Sequence, residues 1–277
     1  HIGYALSNAV RSFVMACTHA RFTGVPERGA TRRYYQHVNR YSASFALASD
    51  IAMLTMGGDL KRKELLSARL GDILSYLYLT SMVLKHYQDQ GSPQEDLPLV
   101  EWSCRTLLYR AQEQFHGLLR NFPNRWFARL LRLFIFPRGR TYFSPSDELC
   151  QEVAELIINP TDTRTRLSYG IYKTAEPDNP IGLLQEAIEL AEKVEPLERK
   201  VAEAYKVGQI DSSDASDQID EAERRGTITA EEAIQIREFD QKIMNLIAVD
   251  DFSSEDLARK TVRPSGKKNT KKATRKR

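Results

Sequence analysis

Between Thr31 and Phe122 apolar side chains return every three or four positions, the period of helices that turn one face to a core. Tyr34, Val38, Tyr41, Phe45, Ala48 and Ala52 draw the first stripe, and Met56-Gly57-Gly58-Asp59 stops it, because glycine supplies the left-handed geometry that closes a last turn. The pattern resumes at Leu66, Leu70, Ile73 and Leu77, runs to Leu84, and ends before Gly91-Ser92-Pro93. A third stripe, Val100, Cys104, Leu107, Leu108, Ala111, Phe115 and Leu118, starts near Asp96 or Leu97, with Pro98 tolerated in the first turn. Short links between long amphipathic helices predict antiparallel neighbours in a bundle, and no stretch alternates like a strand.

Upstream, Ile2, Leu6, Val10, Phe13, Val14 and Cys17 already follow the helical period, and the chain opens at His1 without an initiator methionine. The expectation is therefore that residues 1–30 continue a helix of a longer protein. Beyond Pro123 the predicted helices shorten to Arg125–Phe136, Ser146–Ile158, Pro180–Lys193 and Pro196–Lys206. An internal echo follows, Gly208-x-Ile210-Asp211 and Gly226-x-Ile228-Thr229, and Thr229 with Glu232 forms a capping box. The fold class expected is all-α, divided into residues 1–30, a long-helix bundle at 31–122, shorter helices at 123–258 and a basic tail at 259–277.

Charge sharpens that last boundary. Ten of the 40 Lys and Arg lie in residues 259–277, which hold no acid, leaving 30 basic against 37 acidic side chains in the body. Such a tail buries too little apolar surface to offset its ordering entropy, so disorder is expected there. The apolar run Ile73–Leu84 is too short for a bilayer, which needs about 20 residues. Cys17, Cys104 and Cys150 are too far apart for a zinc cluster and odd in number, as expected of reduced thiols.

Candidate chemistry is sparse. His1, His19, His37, His86 and His116 are scattered without metal-ligand spacing, so structural roles are expected. Asp211, Asp214, Asp217 and Asp220 lack the alternation and closing Glu of a calcium loop and read as an acidic helix start. Ser7, Ser12 and Ser103 have no adjacent base, and no G-x-S-x-G is present. Arg69 and Asp72, three apart, suggest an ion pair at a helix junction.

One segment stands out by composition. No acid falls between Glu113 and Asp147, while Arg120, Arg125, Arg129, Arg132, Arg138 and Arg140 interleave with Trp126, Phe127, Leu130, Leu131, Leu133, Phe134, Ile135 and Phe136. That mixture suits an interfacial helix, with arginines at phosphate level and Trp126 at the headgroups. The competing expectation is a core helix whose arginines pair with acids such as Asp147 or Glu148.

Several stretches occur in a telling order: Arg32-Arg33-Tyr34-Tyr35-Gln36-His37-Val38-Asn39-Arg40, the helix at 60–79, Asn121-Phe122-Pro123-Asn124-Arg125, Ser144-Pro145-Ser146-Asp147, and Asn179-Pro180-Ile181-Gly182-Leu183-Leu184-Gln185-Glu186-Ala187. Over residues 1–258 the combination resembles the C-terminal region of bacterial long-chain fatty acyl-CoA dehydrogenases. The first hundred residues also resemble, more faintly, the helical extension of very-long-chain enzymes. The resemblance implies a parent that oxidises fatty acyl-CoA to trans-2-enoyl-CoA with FAD, a glutamate taking the α-proton and electrons leaving through an electron-transfer flavoprotein. It places the catalytic glutamate and the flavin contacts in an upstream core, so no residue here inherits a catalytic, cofactor-binding or metal role. It also implies packing on that core, homo-oligomerisation and a cytoplasmic location with peripheral attachment to the inner membrane. The alternative expectation is a stand-alone helical adaptor with a basic tail.

Overall fold

The computed structural model describes residues 2–174, 176, 179–247 and 254, and among them there are helices and no strands. The expected disordered tail, 259–277, lies outside the described residues. The chain divides into two compact units, His1–Leu167 and Ser168–Arg277.

In the first unit, α1 (Ile2–Thr18), α2 (Arg32–Met56), α3 (Glu64–Asp89) and α4 (Leu97–Asn121) run alternately up and down. Cross-links fix the directions: Asn8 bonds Asp50 at 3.3 Å and Ser12 bonds Ser44 at 2.9 Å, while the Tyr35 hydroxyl near the start of α2 reaches Gln88 near the end of α3. Leu84 and Tyr87 close with Val100 and Cys104 at the α3–α4 link. Gly57 (φ 50°) stops α2 and Gly91 (φ 81°) follows α3, as the sequence predicts. The main core joins Tyr41, Ile73, Leu77, Leu108, Phe115 and Leu118.

Three helices complete this unit: α5 (Arg125–Ile135), α6 (Asp147–Ile158) and α7 (Asp162–Leu167). The partition expected at residue 122 therefore differs from the observed one, because Ala128, Leu131 and Ile135 bury themselves in the four-helix core. Asp96 fastens α7 to α4: it accepts from Thr163 Oγ1 at 2.6 Å and from Arg166 Nε and Nη2 at 2.9 and 2.6 Å. Arg69 makes no ion pair with Asp72. Its guanidinium instead lies against Gly117 of α4, where a Cβ would meet Nε at 2.8 Å, and Nη1 donates to the Leu65 carbonyl.

Two stripes face differently from expectation. In α2 the fully buried set includes Gln36, Arg40 and Ser44 beside Tyr41, Ala48 and Ala52, while Tyr34, Val38 and Phe45 are only partly covered. In α1 the arrangement is inverted. Asn8, Ser12 and Ala16 are buried, and Leu6, Val10 and Val14 point outward at 65, 53 and 52 % exposure. Small side chains let α1 approach α2 closely, and that leaves the apolar stripe on the outside.

The second unit contains α8 (Pro180–Lys206), α9 (Ala215–Arg224) and α10 (Ala230–Ile247). The sequence predicts two helices broken before Pro196, but α8 is continuous with Pro196 inside it. Proline forfeits one backbone bond and costs about 3 kcal/mol in a helix interior. Here Val194, Leu197, Val201 and Ala204 on both sides of it share one buried face, which holds the helix together.

The internal echo is a repeated turn. Gly208 and Gly226 take φ near 72° and 74°, Gln209 N donates to Ala204 O and Thr227 N to Ala222 O, and Ile210 and Ile228 both bury in the same core. Each is a Schellman closure, in which a left-handed glycine lets the next amide reach back five residues. The capping box is formed in both directions, Thr229 N to Glu232 at 2.7 Å and Glu232 N to Thr229 Oγ1 at 3.2 Å.

Glu221 organises the loop before α9. Its carboxylate accepts from Ser212 Oγ at 2.8 Å and from the amides of Ser212 and Asp211 at 3.1 Å, and it pairs with Arg225. These donors, the Ser212 hydroxyl foremost, hold its pKa at about 2. A depressed carboxylate stabilises the fold above its unfolded pKa, and this contribution fades as pH falls through the folded value. The second unit should therefore lose stability between about pH 4 and pH 2, and Glu221→Gln should flatten that slope in acid titrations followed by circular dichroism.

Candidate functional site

Helix α5 begins where Asn124 turns extended backbone into helix and caps it, accepting from Trp126 N at 3.0 Å and Phe127 N at 3.4 Å. Positions three and four apart share a face. Ala128, Leu131 and Ile135 go to the core, while Trp126, Leu130 and Leu133 form a second apolar stripe facing away from it, at 78, 48 and 56 % exposure. Arg125, Arg129 and Arg132 are exposed around this outer stripe, and the Arg129 guanidinium lies 5.9 Å from the Trp126 ring.

Most other members of the arginine–aromatic segment, and Arg125 as well, have partners within the fold. Phe127 and Phe134 are partly buried against the core, with Phe134 in edge contact with Phe13 at 5.6 Å. Phe136, expected among the surface residues, is 5 % exposed, because the helix ends at Ile135 and the backbone there turns its ring onto Tyr41, Phe115 and His116. Arg138 donates to the Cys17 carbonyl at 3.2 Å, Arg125 to the Arg120 carbonyl at 2.8 Å, and Arg140 pairs with Glu113 at 3.2 Å. Cations suit helix C-termini, where carbonyls lack partners. Among the described residues Arg129 and Arg132 form no ion pair, so the pairing expected with Asp147 or Glu148 is not seen.

A second feature escaped the sequence reading. Arg40 is wholly buried, donating to Thr141 Oγ1 at 3.1 Å, the Tyr142 hydroxyl at 3.3 Å and the Ile135 carbonyl at 3.2 Å, with its guanidinium near the Tyr41 and Tyr142 rings. Gln112 of α4 secures the same loop, taking the amides of Thr141 and Tyr142 and returning a bond to the Tyr142 carbonyl. Tyr142 in turn meets His37 Nδ1 at 2.9 Å. Burial first, then Arg33 and Arg40, pull His37 down to about 3, so this histidine is neutral at physiological pH.

No group of three or more His, Cys, Asp or Glu side chains is placed to hold a metal among the described residues, and Asp211, Asp214 and Asp220 are engaged with Arg225, Ser216 N and Arg237. Cys17 and Cys150 are exposed and Cys104 is buried, all three free. Among the described residues no helix is long and apolar enough to cross a membrane.

These features define an all-helical domain with an inverted first helix and an aromatic–arginine outer face. Residues 1–252 match the family model "Acyl-CoA dehydrogenase, C-terminal, bacterial type", and the chain belongs to that family. No solved structure matches it.

Proposed function

We propose that the chain is the accessory helical region of a flavin-dependent enzyme that converts fatty acyl-CoA to trans-2-enoyl-CoA in fatty-acid β-oxidation. Its own dehydrogenase core, carrying FAD and the proton-abstracting glutamate, is then its main partner. Fatty acyl-CoA, an electron-transfer flavoprotein and further copies of the parent are partners of the whole enzyme.

Family membership over residues 1–252 supports the parent's class. The observation that carries the accessory role is the inverted α1, where Leu6, Val10 and Val14 form an outward apolar row beside Tyr4 at 77 % exposure. An apolar stripe opposite a polar buried face conflicts with folding in water alone, and such conflicts mark interaction surfaces. On this reading the dehydrogenase core covers this row and also carries FAD. The chain, incubated with FAD and passed over a desalting column, should retain none. Stoichiometric FAD on the eluted chain would contradict this division.

The outer face of α5 fits a membrane surface, with Trp126, Leu130 and Leu133 entering the interface and Arg129 and Arg132 meeting anionic headgroups. Each basic residue near an anionic leaflet contributes about 1 kcal/mol, so reversing two arginines should weaken binding at least roughly thirtyfold. In liposome pelleting, a Trp126→Ala, Arg129→Glu, Arg132→Glu variant should lose its attachment to anionic vesicles while keeping its circular dichroism. All three side chains are outside the core, so folding should survive. Equal pelleting of both proteins, or indifference to anionic lipid, would sink this reading.

A further inference from the structure

Beside the Arg40 network lies an open cleft of about 430 Å³, walled by α2, α4 and the 141–144 segment. Arg33, His37, Arg105, Tyr34, Tyr142 and Phe143 give it its character. Its charge is unbalanced. Glu101, the acid on the cleft wall, is already bonded to Arg105. Partly buried Arg33 forms no ion pair among the described residues, and the charges that raise its cost are those of Arg21 and Arg32. Arg40 behind it is wholly buried with no carboxylate partner and with Nε unbonded.

Two helix C-termini offset part of this charge, since Arg33 Nη2 donates to the His19 carbonyl just past α1 and Arg40 to the Ile135 carbonyl of α5. A helix end carries only about half a charge, so two of them neutralise about one of the several cations gathered here. The start of α2 adds to the excess. Its first turn holds Arg32 and Arg33, no acid, and no side-chain cap on Thr31, opposite to what the positive end of a helix favours.

Hydrogen-bonding capacity points the same way. Tyr142 accepts from Arg40, and its hydroxyl lies 2.9 Å from His37 Nδ1, a bond in which either atom can be the donor. Arg33 gives Nη1 to Gln36 Oε1 and Nη2 to the His19 carbonyl, and its remaining N–H groups join the Thr141 and Ser144 hydroxyls and the His37 ring as polar groups on the cleft wall. Phe143, 75 % exposed at its edge, and the Tyr34 and Tyr142 rings offer a flat apolar wall.

We propose that this cleft binds a soluble phosphate ester, its phosphate at Arg33 and His37 and its organic part against Tyr34, Tyr142 and Phe143. A dianion with several acceptor oxygens answers both the charge excess and the polar groups on the cleft wall. The cleft is larger than a bare phosphate, and the aromatic wall gives the rest of the ester a place. The site is independent of the α5 face and of the role proposed for the parent enzyme.

The test is calorimetric titration of the full chain in phosphate-free buffer with adenosine monophosphate, inorganic phosphate and adenosine, alongside pelleting with phosphatidic-acid vesicles. Adenosine monophosphate should bind saturably, one per chain, inorganic phosphate more weakly, and adenosine not measurably. Arg33→Gln should weaken the nucleotide tenfold or more, and Arg129→Gln, outside the cleft, should leave it unchanged. Phe143→Ala should weaken the nucleotide but not inorganic phosphate, and it decides the matter if Arg33→Gln fails to fold by circular dichroism. No saturable heat with either phosphate, or equal nucleotide binding by all variants, overturns the proposal. Arg33-dependent vesicle binding without nucleotide binding also overturns it, by assigning the anion to a lipid headgroup.

Discussion

Arg40→Ala should lower the stability of the first unit by about 3–5 kcal/mol, the range for emptying a large buried site and orphaning buried acceptors. The change would leave a cavity between α2, α4 and α5 and strip partners from Thr141 Oγ1, the Tyr142 hydroxyl and the Ile135 carbonyl. At this size each kcal/mol moves the midpoint by about 2–4 °C, so a fall of about 10 °C is expected in thermal denaturation. Arg40→Met separates volume from charge. It refills most of the space and removes a buried cation that has no carboxylate partner, but it leaves the Ile135 carbonyl unbonded. An intermediate loss is therefore expected, because removing a buried charge offsets part of the cost of losing its hydrogen bonds. A midpoint within a degree of the parent chain for Arg40→Ala would contradict the buried placement.

The reach of the sequence can be judged at the same residue. The long helices were legible because Leu66, Leu70, Ile73 and Leu77, and likewise Cys104, Leu108, Ala111 and Phe115, bury at the positions their period marks. The turns at Gly57, Gly91, Gly208 and Gly226 were legible too, since only a few residue types adopt that backbone cheaply. Arg40 was not. Arginine is almost never fully buried, and what buries this one lies about a hundred positions along the chain, at Ile135, Thr141 and Tyr142. The cleft beside it depends on the same long-range meeting, so its only local trace was the pair Arg32-Arg33 at a helix start.

Two other differences have local causes. Proline usually breaks a helix, yet Pro196 sits within α8 because a continuous buried face spans it. In α1 periodicity revealed the helix but not which side faces inward, because Ser12, Ala16 and Ser44 are small enough for close helix contact. The arginine–aromatic segment was legible as a composition. Its division into an inner face at Leu131 and Ile135 and an outer one at Trp126, Leu130 and Leu133 required the packing of α5.

The second large effect concerns activity itself. Oxidation of an acyl-CoA requires a base at the α-carbon and a hydride acceptor at the β-carbon, and the account places both in a dehydrogenase core outside this chain. The most direct measurement is acyl-CoA-dependent reduction of a dye acceptor, run with added FAD on the chain alone and on the parent protein that carries it with its core. The account predicts steady turnover by the parent and none above the enzyme-free rate by the chain, although the chain remains fully helical by circular dichroism. Turnover by the chain alone would contradict it.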